Sequence, residues 1–186
     1  MSSVRKETFI NAPSRTVWSA LRDFGALHTR LVPGFVTNTQ LEPGARIVTT
    51  ASMAHSWGRL NPDDLSRTKS PYNVWLAYGA SKAANILFAA ESARRWPELL
   101  SFSYHPGVVR SNFGTPAARF FYKIGPGLKS PEQGADTLVH LATAPAADLV
   151  NGGYYDERKP VRPKAYLEDR AIAARLWERS LELTGL

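Results

Sequence analysis

Tyr78 and Lys82 stand four residues apart in "AYGASKAANILF", residues 77–88, a stretch whose apolar spacing predicts a helix. Positions three and four apart are neighbours on a helix, so Tyr78, Lys82 and Asn85 share one face. A free tyrosine has a pKa of about 10. A nearby ammonium favours the phenolate and lowers that value. A tyrosine so tuned can give or take a proton at a carbonyl or alcohol oxygen near neutral pH. Ser52, just after the strand-like "RIVTTA", offers a hydroxyl to the same oxygen. Carbonyl reduction also needs a hydride, which no side chain supplies, so the chemistry implies a nicotinamide cofactor. By itself the Tyr–Lys spacing is a weak signal, because a helical tyrosine beside a surface lysine has it too. Order adds weight: a serine at a strand's C-terminal end, then the Tyr/Lys helix, then "HPGVVRS" ending the next strand. Open α/β sheets place their ligands at those strand ends.

The elements that must position these residues are legible around them. From about residue 46 the pattern reads strand, helix, strand, helix, strand, helix, which predicts a parallel sheet covered by helices. A helix is expected from about Trp75 to Trp96, stopped by Pro97. "LLSFSYHPG" predicts a short buried strand, and "AARFFYKIG" a short helix. In "SPEQGADTLVHLATA", Ser130 is an N-cap, Pro131 sits in the first turn and Glu132 lies early in the helix. "GGYYDERK" is a last short strand, and "YLEDRAIAARLWERSLELTG" an amphipathic closing helix with Gly185 as its stop. Upstream, "FVTNTQLEPGARIVTTAS" reads as two strands around a turn at Glu42–Pro43–Gly44. The segment between Ser52 and the helix is polar and rich in turn residues, and predicts a long loop. Asp63 and Asp64, after Asn61–Pro62, read as local caps rather than as a catalytic pair. Trp18, Trp75, Trp96 and Trp177 fall at apolar helical positions and are expected in the core.

Composition bounds the function class. The chain has 186 residues, 44% hydrophobic and 21% charged, which is a globular balance with room for one domain and its core. A net charge of +7 suits a phosphate-bearing cofactor. The charges are scattered, and the densest run, "ERKPVRPK", reads as a solvated loop, so nucleic-acid binding is not expected. With no cysteine, thiol chemistry is excluded. The four histidines lack ligand spacing, and no metal site is expected. No apolar run has the roughly 20 residues that span a membrane, and the N-terminus lacks a signal-peptide pattern, so the expectation is a cytoplasmic protein.

Residues 46–186 resemble the C-terminal half of a short-chain dehydrogenase/reductase of the retinol-dehydrogenase-like branch. The stretches that carry the resemblance are "RIVTTASMAHSWGRLNPDDL", "AYGASKAANILFAAESARR", "YHPGVVRSNF", "KSPEQGADTLVHLATAP" and "NGGYYDERKP". The resemblance implies Tyr78 as acid/base, and Lys82 as the residue that tunes it and holds the cofactor ribose. It implies Ser52 as the group that orients the substrate oxygen. Pro106, Gly107, Val109 and Ser111 would border the nicotinamide of NAD(P), with the Val109 backbone and the Ser111 hydroxyl as contacts. Trp57 and Phe113, beside these loops, are expected in an apolar substrate wall. The family often has Thr where Ser111 stands, and Ser where Ala51 stands.

The family's earlier strands and its Gly-x-x-x-Gly-x-Gly turn have no counterpart upstream, where the glycines are Gly25, Gly34, Gly44 and Gly58. Its selector for the adenosine ribose and the Asn of its preceding helix are missing as well. Residues 4–48 instead resemble the start of a polyketide cyclase/START-like helix-grip domain. "ARIVT" fits both families, so the chain reads as a fusion of two fragments, 1–45 and 46–186, the second truncated. The expected fold is α/β: a partial Rossmann-like parallel sheet of the last three strands with flanking helices. The N-terminal strand–helix–hairpin is expected to add antiparallel to the cut edge, residues 35–41 against 46–51, shielding it from aggregation. The expected function is NAD(P)-dependent interconversion of a small-molecule alcohol and carbonyl, impaired where the dinucleotide-binding half is lacking. The alternatives are an inactive module that docks as a homo- or hetero-oligomer through the Tyr/Lys helix, and hydrophobic-ligand binding by the cyclase-like region.

Overall fold

The computed structural model describes residues 44–69, 71–110 and 125–184, all within one compact unit, Gly44–Leu186. The cyclase-like stretch up to residue 43, the expected strand 35–41, "AARFFYKIG" to residue 124, Gly185, Ser111 and Phe113 lie outside the described residues.

Among the described residues, four strands form one sheet in chain order: β1 (Arg46–Thr50), β2 (Leu100–His105), β3 (Tyr154–Asp156) and β4 (Lys159–Pro160). The first three run parallel, with Val48 opposite Phe102 and Ser103 opposite Tyr154. This is the expected parallel sheet of three strands. A fourth was not expected: the "ERKPVRPK" run, read as solvated loop, turns back as β4, antiparallel to β3. Glu157 and Arg158 take positive φ of 47° and 64° to make that turn. Lys159 and Pro160 stay exposed, and a proline suits a sheet edge because it has no N–H to donate inward.

Helix α1 (Val74–Arg95) links β1 to β2. It begins at Asn73, whose Oδ1 accepts from the amides of Trp75 and Leu76 at 3.0 and 3.1 Å. Its buried residues, among them Ala80, Ala83, Ile86 and Leu87, recur at helical spacing. The small ones bring its backbone close to the sheet. Helix α2 (Pro131–Thr143) carries the expected cap at Ser130, completed as a capping box by Gln133. Arg46 of β1 closes its far end, donating to the Leu141 and Ala144 carbonyls at 2.7 and 2.6 Å. Helix α3 (Arg170–Thr184) starts later than the amphipathic pattern predicts, because Ala165–Glu168 forms a 3-10 turn first. The long loop after β1 holds two more such turns, Met53–Ser56 and Pro62–Asp64.

The sheet separates two cores. On one face Phe102, Tyr104, Leu141 and Tyr155 pack under α2. On the other, α1 meets Leu167, Ala173 and Leu176 of the closing segment. Trp177 stacks on Phe88 with ring centroids 5.6 Å apart and meets Trp96 edge-on at 5.0 Å. These two tryptophans, expected in the core, instead lie half-buried at the contact between α1 and α3. Trp75 departs further from that expectation. It lies on the first turn of α1, 59% exposed, and pairs edge-on with Trp57 at 6.0 Å. Asp64 is a local cap as read, accepting from the Thr68 and Lys69 amides. Asp63 instead reaches α3 and pairs with Arg175.

Candidate active site

The C-terminal ends of β1 and β2 and one face of α1 converge at a single sheet edge. The ladder extends one residue beyond β1, where the Ala51 amide donates to the Tyr104 carbonyl at 2.8 Å. Ser52 follows and turns the chain into Met53–Ser56. Its Oγ accepts from the Ala54 amide at 3.2 Å. A serine that accepts through its oxygen keeps its own proton to donate to another group.

Ser52 and Tyr78 belong to segments pressed together through glycine. An added Cβ at Gly79 would stand 2.6 Å from the Ala54 carbonyl oxygen and 2.7 Å from the Gly58 nitrogen. An added Cβ at Gly58 would stand 2.1 Å from the Leu76 oxygen. The Ser52 loop therefore lies directly on the α1 backbone, one residue from Tyr78. A glycine inside a helix costs about 1 kcal/mol relative to alanine. Its place next to Tyr78 was the signal of close approach available in the sequence.

Lys82 and Asn85 both reach the last carbonyl of β1. Lys82 Nζ donates to Thr50 O at 3.1 Å, and Asn85 Nδ2 donates to it at 3.0 Å. Lys82 Nζ also lies 5.6 Å from the centre of the Tyr78 ring. Partial burial holds the Lys82 ammonium below its ordinary pKa of 10.5. The helical face read from the sequence is thus gathered at one point, with the ammonium over the phenol ring.

The loop after β2 supplies the second wall. Gly107 has φ of +83°, and an added Cβ there would strike the Lys129 side chain at 2.6 Å. Val109 bridges Lys129 in parallel, through the Val108 carbonyl and the Arg110 amide. That pattern turns Val109's own N–H and C=O away from Lys129, because backbone groups alternate along an extended chain. Gly134 makes room for Val109, since a Cβ there would be 2.5 Å from Val109 Cγ2.

Trp57 is 53% exposed beside Met53, which is 52% exposed. Two clefts, of about 310 and 450 Å³, lie elsewhere, one against Ile86, Tyr154 and Leu167 and the other against Lys129, Asp136 and Glu157. Neither is lined by Tyr78, Lys82 or Ser52. Tyr78, Lys82 and Ser52 lie at the strand ends, outside both clefts. Two histidines that sequence reasoning set aside, His55 and His105, are buried behind Ser52. Their only sequence signal was proximity to the Ser52 and Pro106–Gly107 loops. Among the described residues, no helix is long and apolar enough to cross a membrane, and no acidic, histidine and cysteine cluster could hold a metal.

Comparison with known proteins agrees with this arrangement. No family model matches the chain. A protein assigned as the daunorubicin C-13 ketoreductase DnrU of a Streptomyces species is 46% identical over 143 residues, 76% of this chain and 50% of that protein. Human retinol dehydrogenase 11 is 35% identical over 76% of this chain and 46% of its own length. A crystal structure of an uncharacterized protein from Mycobacterium paratuberculosis superposes with a TM-score of 0.59 at 31% identity, covering 76% of this chain and 51% of that one. The chain spans about half the length of the curated relatives it matches. These likenesses support a segment of the short-chain dehydrogenase/reductase kind within the chain.

Proposed function

We propose that this protein is an oxidoreductase of the short-chain dehydrogenase/reductase type, interconverting an alcohol and a carbonyl with NAD(P)(H). The observation that carries the reading is the convergence of Lys82 and Asn85 on Thr50 O, with the Lys82 ammonium over the Tyr78 ring and the Ser52 loop pressed onto the same helix. The likeness to a ketoreductase and to retinol dehydrogenases supports the same reaction class.

The residues fit the nicotinamide end of such a cofactor. Gly107 turns the backbone at positive φ after β2, Val109 turns its amide and carbonyl away from Lys129, and Lys82 offers an ammonium to a ribose hydroxyl. Pro106 extends this border. When bound, a nicotinamide dinucleotide supplies or accepts the hydride. Ser52 donates a hydrogen bond to the substrate oxygen and keeps its proton. Tyr78 gives that oxygen a proton in reduction and takes one in oxidation. The ammonium of Lys82 stabilises negative charge on the Tyr78 oxygen while the proton is away. Trp57 forms an apolar wall for the substrate, in keeping with the exposed Met53 and with Trp75, which meets it edge-on.

The test is a titration of the full chain with NADPH and NADH, followed by nucleotide fluorescence, with Tyr78→Phe and Lys82→Ala beside it. Nucleotide binding that Lys82→Ala abolishes is the expected result. The glycines upstream of Tyr78 lack the spacing of a pyrophosphate turn. If no other segment replaces its charge-assisted hydrogen bonds, each worth about 1.5–3 kcal/mol, affinity falls to millimolar or weaker. No binding at millimolar nucleotide overturns the reading.

One observation favours a second reading, an interaction module. The first turn of the Tyr/Lys helix exposes Val74, Trp75 and Leu76. A mixed oligomer with an intact dehydrogenase, formed by a chain that binds no nucleotide, would establish it.

A further inference from the structure

The turn after Ser52 contains one histidine, His55, and meets a second, His105, and the two have opposite hydrogen-bond roles. His55 Nδ1 lies 2.7 Å from the Ser52 carbonyl oxygen. A carbonyl only accepts, so this nitrogen carries the proton. His105, the last residue of β2, accepts instead: the Met53 amide points at its Nδ1 across 3.4 Å. That nitrogen must be bare, which places the proton of a neutral ring on Nε2. Both rings are buried, His55 at 8% exposure and His105 at 7%. His55 is further fixed by an edge-on contact with Tyr154, centroids 5.1 Å apart.

We propose that His55 and His105 are positioning residues for Ser52, clamping the carbonyl of Ser52 and the amide of Met53 so that the Ser52 hydroxyl is aimed only while His105 is neutral. The proposal rests on the functional reading above for the purpose of the clamp, but not for its existence. Protonated His105 has two N–H groups and no acceptor. The Met53 amide would then face a donor, and the turn would lose this tie to the end of β2.

The surroundings set the direction of the switch. Burial lowers the pKa of His105 from its ordinary 6.5. The carboxylate of Asp156, from β3, opposes that shift, while Lys129, from the segment just before α2, and His55 reinforce it. The folded protein therefore binds this proton less readily than the unfolded chain. The clamp is intact at neutral pH, and its stabilisation falls as pH drops below the ordinary imidazole value toward the lowered one.

The experiment is NMR of the nitrogen-labelled full chain from about pH 7.5 to about pH 5, across the imidazole range. Long-range proton–nitrogen spectra should report protonated Nδ1 at His55 and protonated Nε2 at neutral His105. The Met53 amide shift should move with the His105 titration. His105→Asn keeps an acceptor near the place of Nδ1 but cannot titrate, so the shift of its Met53 amide should stay flat over the same range. A Met53 shift indifferent to His105, or a neutral His105 protonated on Nδ1, overturns the clamp; both are read on the unmodified chain even if the variant fails to fold. Carbonyl reduction separates the two readings. An active protein should lose kcat/KM with the His105 titration, and His105→Asn should not follow. An inactive protein with the stated tautomers overturns the functional reading and leaves the clamp standing.

Discussion

Gly58 and Gly79 meet backbone to backbone, the loop after Ser52 lying on the helix one residue beyond Tyr78. Neither position has room for a methyl group. On an exposed helix, Gly79→Ala would stabilise by about 1 kcal/mol through propensity. Here the new Cβ would stand 2.6 Å from a backbone oxygen. Overpacking typically costs about 1–3 kcal/mol, so the expected sign is reversed. A lower denaturant midpoint for Gly79→Ala, with unchanged slope, checks this; a raised midpoint would refute the close approach.

Lys82 and Asn85 share the Thr50 carbonyl, so their removals should not add. Asn85→Ala alone leaves Lys82 on that oxygen, and Lys82→Met alone leaves Asn85. Each is expected to cost about 0.5–1.5 kcal/mol, the ordinary net value of a hydrogen bond. The double variant strips the carbonyl of both donors and should cost more than the sum. A double-mutant cycle by urea denaturation measures the coupling, and strict additivity would show that the two bonds are independent.

Tyr78→Phe removes the proton donor and keeps the ring under Lys82. If the oxidoreductase reading holds, carbonyl reduction should fall by about 10²–10⁴-fold, the usual contribution of general acid catalysis. Nucleotide affinity should barely change. Steady-state kinetics with nucleotide titration separate these quantities, and full activity in this variant would remove Tyr78 from the chemistry.

Glu91 is buried on α1 between two arginines, accepting from Arg94 Nε at 3.0 Å and Arg95 Nε at 2.6 Å. Burial pushes its carboxyl up, but the hydrogen bonds from Arg94 and Arg95 outweigh burial and hold it below the ordinary 4.5. A depressed folded value means that its stabilisation is present above the ordinary carboxylate pKa. It is lost as pH falls through the lower one. Glu91→Gln should therefore lower stability at neutral pH, and the difference from the parent should shrink in acid. Thermal melts from about pH 7 to about pH 3 read this, and a gap that widens in acid would contradict it.

Residue order alone determined the alternation of strands and helices, because periodicity and caps act within a few residues. Asn73, Ser130 and Pro97 mark helix ends by local chemistry that needs no distant partner. The common face of Tyr78, Lys82 and Asn85 follows from helical geometry in the same way. Tertiary structure decided what those residues meet. Lys82 and Asn85 find the Thr50 carbonyl, Asn85 across a separation of 35 residues, because α1 packs against the end of β1. Trp75 lies exposed, although its apolar type argued for the core, because the first turn of α1, Val74 and Leu76 included, is exposed. β4 forms from a charged, proline-bearing run because β3 offers it an edge, which no local propensity announces. His55 and His105 gain their roles only when the Ser52 turn folds over the end of β2. Such contacts depend on the mutual approach of whole elements, and local pattern carries no record of that approach.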